Sequence, residues 1–174
     1  MPIEFRRTAI LLTAALALAA CSNAEDEDLA AAGGAGGQGG FDQQGLGGQF
    51  PPGSVGYFTN VVGDRVFFET DSSTLTPAGR ATLDAQAQWF VANPSATAVI
   101  EGHADERGTR EYNLALGARR ANSVYNYLIS AGVDAGRLRT VTFGKERPEA
   151  VCSDESCWSQ NRRSVSVVAN APVS

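Results

Sequence analysis

Gly102-His103-Ala104-Asp105-Glu106-Arg107-Gly108-Thr109 lies between a β-branched run, Thr97-Ala98-Val99-Ile100-Glu101, and apolar residues at helical spacing, Leu114, Ala118, Ala121, Tyr125 and Leu128. The run predicts a strand. The spaced series predicts a long helix ending near Ala131-Gly132, because glycine is the common C-terminal stop. A strand joined to a helix by a Gly-bounded loop is half of an α/β unit, and the alternation continues on both sides. Upstream, Arg65-Val66-Phe67-Phe68-Glu69 predicts another strand. Thr76-Pro77 then predicts an N-cap with proline at the first helical position. Leu83, Ala87, Phe90 and Val91 carry that helix, and Asn93-Pro94 stops it. Downstream, residues 138–143 and 164–168 predict two more strands. The order is β-α-β-α-β-β, an α/β (α+β) sandwich with both helices on one face of a mixed sheet.

Composition bounds what surrounds this unit. The chain has 174 residues, 43% hydrophobic and 19% charged, with 19 glycines and a formal net charge of -5. That suits one domain with appendages. Residues 22–54 hold ten of the glycines, no basic residue and the run Glu25-Asp26-Glu27-Asp28. With no sustained apolar period they predict a disordered acidic linker. Such a chain spans roughly 30 Å on average. Residues 55–174, the predicted domain, carry 13 acidic and 12 basic side chains, so the domain is nearly neutral. The lack of a basic excess argues against nucleic acid as a partner. One histidine and three cysteines leave little for a zinc enzyme, and neither a metal nor a cofactor is expected.

The first 20 residues read as a secretory signal: Arg6-Arg7, then a short apolar run too brief for a stable membrane span. Leu18-Ala19-Ala20-Cys21 resembles the bacterial lipobox, in which the cysteine is lipidated and becomes the mature N-terminus. Several acyl chains anchor stably where one anchors marginally. Ser22 after the cysteine implies sorting to the outer membrane, with the domain facing the periplasm. Cys152 and Cys157 remain as an even pair, able to close a short disulfide loop in that oxidising compartment. Two free redox thiols are the alternative, against which stands the absence of C-x-x-C spacing.

Around the opening stretch, charge and spacing suggest a ligand. At 3.6 residues per turn, Asn113, Gly117, Arg120 and Val124 share a helix face about 100° from the apolar series. This predicts Asn113 and Arg120 on the flank of the core, near the loop bearing Asp105. A carboxylate, a guanidinium fork and free N–H groups at a helix N-terminus suit a zwitterionic α-amino acid. Asp105 would accept from the ammonium, and Arg120 would hold the carboxylate. Duller roles compete: Asp105 as a helix cap, Arg120 as a solvated charge. His103 is expected to be a hydrogen-bonded structural residue, Arg119 to face solvent, and Trp89 and Trp158 to pack rather than serve as sugar platforms. Arg162-Arg163 is expected to pair with carboxylates or face solvent, with contact to a glycan as the alternative.

The opening stretch, with Glu111-Tyr112-Asn113, Leu116-Gly117-Ala118-Arg119-Arg120-Ala121-Asn122, Phe143-Gly144-Lys145-Glu146-Arg147-Pro148 and Ser159-Gln160-Asn161-Arg162-Arg163, resembles the OmpA-like peptidoglycan-binding domain family. The resemblance covers residues 57–169. It implies noncovalent binding of the diaminopimelate in the peptidoglycan stem peptide, without catalysis. Carried over by motif, it implies Asp71, Asp105, Gly108, Asn113, Leu116 and Arg120 as ligand-binding residues. Thr70 stands where that family often has an aromatic residue. With the lipobox and linker, the chain resembles the family's lipoprotein members. That implies TolB and the other Tol-Pal components as partners, with a role in outer-membrane invagination at division and in envelope integrity. A wall-stapling lipoprotein outside the Tol system is the alternative. A hydrolase is disfavoured, since there is no second histidine for a metal and no nucleophile elbow. A flagellar stator subunit is disfavoured because no spanning helix precedes the domain.

Overall fold

The computed structural model describes residues 50–169; Cys21, the signal segment and linker residues 22–49 lie outside the described residues. Four strands, β1 (Arg65–Phe67), β2 (Thr97–His103), β3 (Leu138–Gly144) and β4 (Arg163–Ala169), form one sheet in the order β1-β4-β2-β3. β4 runs antiparallel to both β1 and β2, while β2 and β3 are parallel, so the sheet is mixed. α1 (Val55–Tyr57) continues into π-helical turns over Phe58–Gly63. α2 (Pro77–Ala92) and α3 (Arg110–Ser130) supply the helical layer, and α4 (Glu155–Asn161) precedes β4. Among the described residues no helix is long and apolar enough to cross a membrane.

Local chemistry explains the boundaries. Thr76 Oγ1 accepts from Gly79 N, with Pro77 just inside α2. Thr109 Oγ1 accepts from Tyr112 N and starts α3. Each cap satisfies one of the donors a helix start leaves open. Ala98 and Ile100 of β2 face Leu83, Ala87 and Phe90 of α2 and Ala121, Val124 and Leu128 of α3 in one buried cluster.

Three departures from the sequence reading stand out. α4 occupies part of what reads as a disulfide-closed loop; Asp154 caps it by accepting from Ser156 N at 2.8 Å. Residues 50–54, the end of the predicted disordered linker, are ordered, with Ser54 Oγ accepting from Tyr57 N at 3.1 Å to start α1, and the helical segment that follows buries Phe58 fully against Trp89 and Phe90 at 4.8 and 5.5 Å between ring centroids. The third is the rotation of α3. Its buried residues are Asn113, Leu116, Gly117, Arg120, Ala121, Val124 and Leu128, whereas Leu114, Ala118 and Tyr125 are only half-buried. The row bearing Asn113 and Arg120 is therefore the inner seam, not its flank. Two polar side chains inside a helix seam defeat an apolar-period reading, and their hydrogen bonds make the placement tolerable.

Glycine makes that rotation possible. A Cβ on Gly102 would lie 1.9 Å from the Gly117 carbonyl oxygen, and one on Gly117 would lie 2.8 Å from the Gly102 oxygen. Backbone of α3 thus rests directly on backbone of β2, close to the strand's carboxyl end. At the other end, Trp89 Nε1 donates to Pro52 O at 2.7 Å, a buckle that pins the Pro52 segment to α2. α2 feeds β2 through residues 93–96, so this buckle and the 104–109 loop lie at opposite ends of β2, roughly 20 Å apart by strand rise.

Candidate functional site

At the carboxyl end of β2 the chain leaves the sheet through residues 104–109 and turns into α3. Gly108 has φ +86°, a left-handed conformation that glycine takes without steric cost. Asn113 Nδ2 donates to the Arg107 carbonyl at 2.7 Å, and Lys145 Nζ donates to the carbonyls of Glu106 and Gly108 at 3.2 and 2.7 Å. The loop is therefore braced from α3 on one side and from the end of β3 on the other.

Opposite lies the turn after β1. Asp71 adopts φ 52°, a left-handed conformation uncommon for any residue but glycine, though aspartate and asparagine tolerate it best. Arg120 holds this turn. Its Nε donates to Ser72 O at 2.8 Å, one terminal nitrogen to Glu69 O at 3.2 Å, and the other to His103 O at 2.8 Å. One fully buried guanidinium thus ties the Asp71 turn to the end of β2. Burial lowers its pKa to about 10, against the attraction of Asp105, so it stays charged at neutral pH. Three of its five N–H bonds are used in this way.

Between loop and turn is a cleft of about 270 Å³, lined by Asp71, Asp105, Gly108, Asn113 and Leu116 together with Thr70, Arg107 and Tyr112. Five of the six residues expected to bind ligand are brought together here. Arg120 is not in the lining; it lies buried among the backbone carbonyls that shape the walls. The solvated-charge alternative for Arg120 does not hold, and neither does the cap alternative for Asp105, because Thr109 caps α3.

Arg107 and Tyr112 were passed over at the sequence level although both sit within the quoted motifs. The signal for Arg107 was its position two residues after Asp105, the spacing at which an aspartate accepts from the backbone in a tight turn. That bond is present at 3.2 Å, and the Arg107 side chain adds Nε to Oδ1 at 3.2 Å and a terminal nitrogen to Oδ2 at 2.6 Å. Arg162, behind the cleft, reaches Asp105 Oδ2 at 3.4 Å, Phe68 O at 3.1 Å and Glu155 Oε1. Burial raises the Asp105 pKa, but Arg107 and Arg162 outweigh it and hold the carboxyl below the usual aspartate value. Tyr112 donates its hydroxyl to Asp71 Oδ1 across the cleft.

The tryptophans divide. Trp89 packs in the core, while Trp158 of α4 sits half-buried at the rim with the Arg107 guanidinium 4.1 Å above its ring. Cys157, next to it, is joined to Cys152 with Cα atoms 5.6 Å apart. Of the adjacent arginines, Arg163 is also buried and pairs with Glu149 at 3.4 Å. His103 is outside the cleft. It is buried and stacked 5.6 Å from Phe143; its Nε2 lies 3.4 Å from Glu101 Oε2, but neither ring nitrogen makes a hydrogen bond of good geometry among the described residues.

Residues 67–162, which carry both cleft walls, match the OmpA family. The chain belongs to that family. It is 53% identical to the peptidoglycan-associated lipoprotein of Rhizobium meliloti over 93% of this chain and 87% of that one. It is 55% identical to the protein of the same name from Brucella melitensis, over 73% of this chain and 76% of that one. The crystal structure of the peptidoglycan-associated lipoprotein from Burkholderia pseudomallei superposes with a TM-score of 0.60 at 40% identity, covering 61% of this chain and 90% of that one. The C-terminal domain of Helicobacter pylori MotB shares the fold at 21% identity, with a TM-score of 0.57 over 61% of this chain and 84% of that one.

Proposed function

We propose that the domain binds peptidoglycan noncovalently, taking the diaminopimelate of the stem peptide into the cleft between the Asp71 turn and the Asp105 loop. The observation that carries this reading is the cleft's charge pattern. An ionised, nearly buried carboxylate at Asp105 stands beside Arg107, with Asp71 on the facing wall. A free amino-acid centre presents an ammonium and a carboxylate on one carbon, and such a cleft offers a partner to each. Leu116 and the aliphatic part of the wall suit the methylene chain between that centre and the stem. Relatives bearing the name peptidoglycan-associated lipoprotein over most of this chain's length support the same conclusion.

Lipidated Cys21 anchors the protein in the outer membrane, and the linker lets the domain reach the wall from there. TolB and the other Tol-Pal components are its protein partners, which ties it to outer-membrane invagination during division and to envelope integrity. Retention of the full-length protein on purified cell wall tests the central claim. Asp105→Asn keeps the side chain's shape while removing its charge, and retention should fall by a factor of ten or more, as expected for a lost charge-assisted hydrogen bond. Wild-type retention by a folded Asp105→Asn protein refutes the assignment of the cleft.

A further inference from the structure

Asp105 is already saturated. A carboxylate offers about four lone-pair directions, and here Oδ1 accepts from Arg107 N and Nε while Oδ2 accepts from Arg107 and Arg162. An incoming ammonium finds no vacant position, so a donor must leave. The two side-chain donors differ sharply. Arg162 is 4% exposed and held from behind by Phe68 O and Glu155; the Arg107 side chain is 39% exposed and forms part of the cleft wall. Arg107 is the one that can go.

Where it goes is set by Trp158. The indole lies under the guanidinium at 4.1 Å and is tied by Nε1 to Glu106 of the same loop as Arg107, within α4 and directly after the loop closed by Cys152–Cys157. Stacking on an aromatic face leaves the in-plane N–H groups of a guanidinium free to bond. Arg107 can therefore leave Asp105 without leaving the rim.

We infer that Arg107 is an exchangeable occupant of the cleft: its guanidinium holds the place on Asp105 that the ligand's ammonium takes, and on binding it passes to the ligand's carboxylate while Trp158 keeps it at the rim. This deepens the proposed function and rests on it. The consequence is selectivity. A ligand end bearing both charges replaces one ion pair by two, whereas an end bearing only an ammonium breaks the Arg107–Asp105 pair and leaves Arg107 without an acceptor. Arg107 is then a specificity-determining residue.

Titration calorimetry on the full chain tests this with two stem peptides, one containing diaminopimelate and one containing lysine at the same position. Wild type should prefer the diaminopimelate peptide. In Arg107→Gln that preference should narrow by about tenfold, the worth of one charge-assisted hydrogen-bonded pair, through weaker diaminopimelate binding and lysine binding that is unchanged or tighter. Trp158→Ala should narrow it by a smaller factor. Arg107→Lys, which keeps the charge but loses the fork, should fall between and carries the test if Arg107→Gln does not fold. An unchanged preference in these variants, or equal weakening of both peptides, overturns the exchange while leaving the cleft assignment standing. Failure of wild type to bind either peptide overturns both.

Discussion

Two arginines flank the cleft, and they are built to opposite ends. In the floor, Arg120 is fully buried and spends its hydrogen bonds on the backbone carbonyls of Glu69, Ser72 and His103. At the rim, Arg107 is exposed, bonds a side-chain carboxylate and rests on an indole. A guanidinium bonded to backbone carbonyls fixes where walls stand, because those acceptors cannot turn away. One bonded to a carboxylate and an aromatic face has partners that another ligand can replace. Floor and rim are thus distinguished by what their arginines hold, not by residue type.

The most severe way to break this contrast is at the floor. Arg120→Ala strands three inward-facing carbonyls and should cost on the order of 3–4 kcal/mol of stability, read as a lowered urea midpoint. Because the Asp71 turn would be released as well, loss of wall binding in this variant will not isolate a ligand contact. A protein of normal stability would show that the floor does not depend on this brace.

Next comes the scaffold of the rim. Replacing Cys152 and Cys157 together by serine opens a six-residue ring and should cost about 2 kcal/mol by loop-closure entropy. Amide exchange should then rise first in α4 rather than in the core strands.

The carboxyl end of β2 gives a pH test of the floor. Burial, and after it the charges of Arg163 and Arg147, lower the pKa of His103 from 6.5 to about 4. The unfolded chain therefore takes up a proton that the folded protein refuses between those values. Stability contributed by neutral His103 is lost as pH falls from 6.5 toward 4. Urea midpoints across this window should drop more steeply for wild type than for His103→Phe; parallel curves would refute the buried, neutral ring. The smallest effect belongs to the rim: Arg107→Gln should change stability by about 1 kcal/mol or less, as exposed ion pairs do. A larger loss would move Arg107 into the floor and erase the distinction.

Much of the scaffold is legible in the sequence. The Thr76-Pro77 signal, the β-branched runs and the glycine after Ala131 placed strands and long helices to within one or two residues, with β1 ending two residues early and β2 running two further. These signals are local, and so are the forces behind them. The rotation of α3 was not readable, because Asn113 and Arg120 face inward for the sake of carbonyls 6 to 51 positions away in sequence. α4 was missed because a seven-residue helix has little period to show. For the cleft, the motif named Asp105 and its neighbours. Nothing in the sequence ranks Arg107 above Arg119 or Arg110 as the cation over a tryptophan that is 51 residues further on.

The buckle between Trp89 and Pro52 closes the far end of the molecule from the cleft. Tension drawn between those two ends runs along β2, the strand flanked by β4 and β3. The ladders on either side are then loaded in shear, all their bonds sharing the force at once, rather than unzipped one after another. With this geometry the sheet resists a pull along β2 better than one directed across its strands.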